Sequence, residues 1–95
     1  MRINTLFGTK EVTEGVSRPM TLYYYLIQET GKGKRGGSVY GVGIVKQCGG
    51  ETTEQEYLVG LSDSREETEG LLRLMLKGAV TPMSAVEVAD DYLGA

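Results

Sequence analysis

The 95-residue sequence predicts an α+β domain in the order ββββαα: a four-stranded antiparallel β-meander, then two C-terminal helices packed on one face. Three observations lead there. Thr21–Glu29 (TLYYYLIQE) and Ser38–Gln47 (SVYGVGIVKQ), joined by GKGKRGG, read as a central β-hairpin. The runs Arg2–Val12 and Glu51–Val59 keep the period of about two that a strand requires. Beyond Asp63 the apolar spacing changes to about 3.6 residues, the period of a helix.

Arg2–Val12 alternates weakly, Ile3 and Phe7 against Leu6 and Val12, as an edge strand interrupted at Gly8 would. Thr13–Pro19 is a turn, and Pro19 biases Arg18 toward an extended conformation. In the second strand Leu22, Tyr24 and Leu26 point one way and Tyr23, Tyr25 and Ile27 the other. With both faces apolar, it suits a central strand covered by helices on one side and by a partner subunit on the other. In the third strand Tyr40, Val42 and Ile44 oppose Val39, Gly41, Gly43 and Val45. Glycine inside a strand marks a bulge or a close approach, so a shallow groove is expected over Gly41 and Gly43.

Cys48-Gly49-Gly50 supplies the next turn, glycine tolerating positive φ. Glu51–Val59 is the other edge, its acidic solvent face discouraging edge pairing. Ser64–Glu67 fits a capping box, with acids favourably placed at a helix N-terminus. Leu71, Leu72, Leu74 and Met75 then form the buried stripe, and Gly78 is the expected residue after the helix. Thr81 caps the second helix with Pro82 at its first position. Met83, Val86, Ala89 and Leu93 are expected inward, with Glu87, Asp90 and Asp91 outside.

Residues 1–95 make a single domain, with an adequate but thin core. Six Tyr against one Phe and no Trp make the aromatic content almost wholly amphipathic. The net charge of −3 hides an asymmetry: residues 1–47 carry seven Lys/Arg and three Glu, a net +4, while residues 48–95 carry three Lys/Arg and ten Asp/Glu, a net −7. Such a molecule pairs head-to-tail with itself or offers its positive end to an anion. The single Cys48 excludes an intramolecular disulfide framework. No apolar run approaches the ~20 residues of a membrane helix, and no signal peptide is read, so a cytoplasmic protein is expected.

The combination YYYLI (23–27), YGVGIVK (40–46), SREETEGLLRLML (64–76) and VTPMSAVEVADDYL (80–93) resembles a family of short bacterial proteins of unknown function, met mainly in anaerobic Gram-positive bacteria and their mobile elements. The resemblance covers most of the chain from Tyr23 onward. It carries no activity and assigns no functional residue. The GKGKRGG insert is more basic and glycine-rich than the resemblance implies.

That insert is the strongest candidate for chemistry. Its glycines let backbone N–H groups turn onto an anion while Lys32, Lys34 and Arg35 supply charge. It fails the phosphate-loop pattern, which needs Lys where Gly37 stands. It matches the dinucleotide pattern literally at Gly31, Gly33 and Gly36, yet leads into a strand rather than a helix. Tyr23, Tyr24, Tyr25, Tyr40 and Tyr57 are of the type that stacks a base, or packs across strands. Net acidity argues against polymeric nucleic acid. With no His, and with Cys48 lacking a neighbouring base, no catalytic residue and no metal ligand set is assigned. No cofactor is expected.

The sequence thus predicts a non-enzymatic binding protein. It would hold a small anionic, nucleotide-like ligand through Lys32, Lys34, Arg35, Gly36 and Gly37, with Tyr25 and Tyr40 beside it. It would act as an anti-defence sponge if a phage or mobile element encodes it. The alternative is a protein–protein interaction module or inhibitor using its acidic helical face or tyrosine-rich sheet face. Burial of that sheet face predicts a homodimer or higher homo-oligomer.

Overall fold

A computed structural model describes residues 1–94. Strands β1 (Arg2–Val12), β2 (Met20–Glu29), β3 (Val39–Cys48) and β4 (Glu51–Ser62) form one sheet in chain order, each antiparallel to the next. Helices α1 (Arg65–Lys77) and α2 (Ala85–Leu93) follow, completing the expected α+β order. The β1 register shifts between Leu6 and Gly8, where the sequence predicts an interruption. Phe7 is the extra residue there and packs on the core.

In β2 and β3 strand parity sorts the side chains as expected; in β1 the bulge switches it, so that Val12 packs on the core with Phe7 rather than sharing a face with Leu6. Leu22, Tyr24 and Leu26 of β2 and Val42 and Ile44 of β3 meet Leu71, Leu72 and Met75 of α1 and Ala85 and Ala89 of α2. This is the helix-covered, inner face. The opposite, outer face carries Tyr23, Tyr25 and Ile27. Cys48-Gly49-Gly50-Glu51 is a tight hairpin turn whose two glycines have φ of 61° and 81°, the type I′ geometry that glycine tolerates.

β4 extends three residues past the expected Val59. Its register with β3 jumps from Val42↔Leu58 to Tyr40↔Ser62, so extra residues bulge opposite Gly41. A Cβ on Gly41 would collide with the Leu58 carbonyl oxygen, which explains the glycine by the close approach of a backbone. Gly43 has another reason. The Tyr57 ring lies over it, 2.8 Å from where a Cβ would stand. The expected groove over Gly41 and Gly43 is therefore filled, by β4 itself.

The start of α1 is a relay rather than a simple capping box. The Ser64 hydroxyl accepts from the Glu67 N–H at 3.1 Å, an N-cap bond of about 1 kcal/mol. The Glu67 carboxylate does not return to the Ser64 N–H. It accepts from the Ser62 hydroxyl (2.8 Å), which itself accepts from the Ser64 N–H (2.9 Å). The buried stripe is Thr68, Leu71, Leu72 and Met75, and Leu74, expected within it, is 46% exposed on its flank. At the other end Gly78 keeps a helical bond to Leu74. The left-handed residue is Ala79 (φ 50°), with the Val80 N–H returning to the Met75 carbonyl.

The second helix corrects the expectation further. Pro82–Ser84 form a 3-10 turn before α2, and Thr81 makes no side-chain cap. A 3-10 turn advances 120° per residue against 100° in an α-helix, which rotates the inward face. Pro82, Ala85 and Ala89 are buried, while Met83 is 82% exposed and Val86 46%. No described helix is long and apolar enough to cross a membrane.

Candidate functional site

The Gly31–Ser38 connection folds on itself. The N–H groups of Gly31 and Gly33 both donate to the Gly37 carbonyl, that of Gly36 to Gly33 and that of Gly37 to Lys34. Lys34–Gly36 is one 3-10 turn, with Arg35 left-handed at φ 58°. At its base Gln28 Nε2 donates to Ser38 Oγ (3.2 Å). The loop is thus a structured knob. Lys32, Lys34 and Arg35 project from it exposed. The Gly36 and Gly37 amides, assigned to an anion by the sequence reading, are already bonded within the loop, which leaves the three cationic side chains.

The two tyrosines assigned beside the loop stand apart. Tyr40 pairs with Gln28 near the loop and packs against the inner core; Tyr25 pairs with Gly43 at mid-strand on the outer face. Four residues separate Tyr25 from the end of β2, roughly 13 Å at the rise of a strand. The structure does not bring Tyr25, Tyr40 and the basic knob together. Tyr24 leaves the set of stacking candidates too. Its ring is fully buried, its hydroxyl donates to the Val80 carbonyl (2.8 Å), and burial pushes its pKa up to about 12.

What the structure does assemble is the outer face. One row across the four strands reads Leu6, Tyr25, Gly43, Tyr57 and the next Thr9, Tyr23, Val45, Gln55, without a charge in either. Leu6 is 52% exposed, and Tyr23 and Tyr25 are half-buried. Nearer the basic knob this face closes over itself. The Arg2 guanidinium of β1 and the Tyr57 ring of β4, which lies over Gly43, meet across the strands between, 5.7 Å from the guanidinium carbon to the ring centre. Ile27, between Asn4 and Gly41 in the same region, is fully buried although no helix covers that side. The strand alternation shows which residues share this face; the meeting of Arg2 and Tyr57 across it has no signature there.

At the end remote from the knob lies a cleft of about 320 Å³, lined by Glu11, Thr13, Pro19, Met20, Thr21, Tyr23, Gln47, Gly49 and Gly50. Glu11 is its one charged residue. Its lining comes from the β1–β2 and β3–β4 turns, separated in sequence by some thirty-five residues, and no local motif announces it. A separate depression of about 350 Å³ is lined by Val16, Ser17, Arg18, Met20, Lys46 and Cys48, where Lys46 pairs with Glu54 at 3.8 Å. The Cys48 sulfur accepts from the Thr53 hydroxyl at 4.0 Å. Among the described residues no three His, Cys, Asp or Glu side chains gather as a metal site.

Residues 3–95 match the model of a family described as a family of unknown function, DUF6514. No curated protein and no solved structure matches the chain.

Proposed function

We propose, from the premise that this chain belongs to the DUF6514 family, that it is a small non-enzymatic protein–protein interaction module working through its outer sheet face. The observation that carries this is the uncharged double row around Tyr23, Tyr25 and Tyr57, which no helix covers. Tyrosine is enriched at interfaces because its ring buries much apolar area at low entropic cost while its hydroxyl stays satisfied at the rim. A cytoplasmic setting fits the lone thiol. A photocrosslinking residue at position 25 should yield a protein adduct in cells, and one at position 87, on the acidic helical face, should not. Adducts only from position 87 would move the function to the helices.

A second reading concerns the basic knob, which holds three cations without an acidic partner among the described ion pairs. Being folded in advance, it would lose little entropy on binding an anionic, nucleotide-like ligand. Such a ligand would be sequestered, as by an anti-defence sponge. Nucleotides should then raise the melting temperature of the wild type and leave a Lys32→Ala/Lys34→Ala/Arg35→Ala variant unmoved. A wild type indifferent to a nucleotide panel removes this reading.

A further inference from the structure

This inference rests on the reading of the outer face as an interaction surface and names its occupant. We infer that a second copy of the chain covers it, laid face to face and antiparallel, so that the basic knob of each copy enters the Glu11 cleft of the other.

The two ends of the sheet differ in charge in the way this requires. Lys32, Lys34 and Arg35 extend beyond the β2–β3 end, where Glu29 on the outer face is offset by its strand neighbour Arg2 and the acids at the start of α1 belong to the helix layer. Glu11, Glu14 and Glu51 stand at the opposite end, around the β1–β2 and β3–β4 turns, and outnumber Arg18, the one cation of those turns, whose guanidinium lies against Gly49. Between them the rows through Leu6 and Thr9 carry no charge. A cleft of about 320 Å³ gives room for a long side chain. Its inventory suits a cation: the Glu11 carboxylate for charge, the Thr13, Thr21 and Gln47 oxygens as acceptors, and the Tyr23 ring. The knob supplies such cations on a backbone fixed by its own hydrogen bonds.

Symmetry then selects the arrangement. A two-fold axis in the interface perpendicular to the strands sets knob against cleft twice and closes the pair. An axis along the strands would set knob against knob, and like charges would repel. The two knob–cleft contacts are identical, so neither copy is left with an open end from which a fibre could grow.

Sedimentation equilibrium on the full chain tests it. The wild type should dimerise, Leu6→Glu at the exposed centre of the face should make it monomeric, and 1 M salt should weaken the dimer. Lys32→Glu/Lys34→Glu/Arg35→Glu and Glu11→Lys/Glu14→Lys should each lower self-affinity at least tenfold. Mixed in equal amounts they should recover wild-type affinity, because both contacts of the mixed pair again join opposite charges. Circular dichroism establishes that each variant is folded. A wild type that stays monomeric at roughly 100 μM, or a dimer indifferent to both reversals, overturns the inference. A monomer that still forms adducts from position 25 with another protein leaves the interaction reading standing. A dimer that survives Leu6→Glu removes the outer face from both.

Discussion

The hydroxyl of Tyr24 donates to the Val80 carbonyl from a ring with no exposure to solvent. It ties β2 to the turn that separates the helices. Burial raises its pKa from 10.0 to about 12, so the folded chain keeps this proton at a pH where the unfolded chain has released it. The stabilisation from this group is complete below about pH 10 and is lost as pH rises toward about 12, some ~2–3 kcal/mol over the window. Tyr24→Phe should cost about 1–2 kcal/mol at pH 7, since the Val80 oxygen loses its partner. It should also flatten the decline above pH 10. Urea denaturation of both proteins at pH 7 and pH 11 checks the two effects; equal slopes with pH would show that another group controls the alkaline limb. Alternation in YYYLI indicates that Tyr24 faces away from Tyr23 and Tyr25. The Val80 carbonyl is 56 residues away and nothing local marks it.

At the level of elements, the two glycines of β3 answer to different neighbours. A methyl at Gly41 meets the backbone of β4, which can move only with its bulge, so Gly41→Ala should destabilise by about 2–3 kcal/mol. At Gly43 the obstacle is the Tyr57 ring, a side chain 37% exposed that can rotate away. Gly43→Ala should cost about 1 kcal/mol and break the Arg2–Tyr57 contact. Denaturant midpoints rank the pair, and a larger loss at position 43 would reverse the assignment. Strand order, the parity of β2 and β3 and both helices were legible because periods of two and 3.6 repeat over whole segments, whereas one extra residue at Phe7 switches the parity of β1. The inward face of α2 was not. A three-residue 3-10 turn rotates everything after it, and hydropathy favours Met83 and Val86 over the alanines that allow close packing. Leu74 misleads similarly, lying about one residue off the stripe centred on Thr68, Leu71, Leu72 and Met75.

Across the molecule, the candidate site was legible as charge and not as geometry. Lys32, Lys34 and Arg35 stand out in the sequence as cations. That the glycine amides between them turn inward depends on carbonyls of the same loop folding back. The tyrosines stand out too, but assigning Tyr25 and Tyr40 to one site requires the pairing register, which sets them on opposite faces. The knob and the Glu11 cleft lie at opposite ends of the sheet, with the uncharged rows of the outer face between them. A swap of charges between its ends therefore probes the whole surface at once, and the mixing experiment reads it.

The sheet keeps its strands in chain order, each paired with the one before it. In kinetic terms, every pairing closes a short loop, and no strand must wait for a distant partner. Folding should accordingly be fast for a protein with this much sheet, in the millisecond range. The β2–β3 hairpin, which supplies both central strands of the core, is the natural nucleus. Gly41→Ala should then slow refolding, whereas a truncation in α2 such as Ala89→Gly should mainly speed unfolding. Stopped-flow chevrons separate the two, and an α2 variant that slows refolding would show that the helices gather before the hairpin closes.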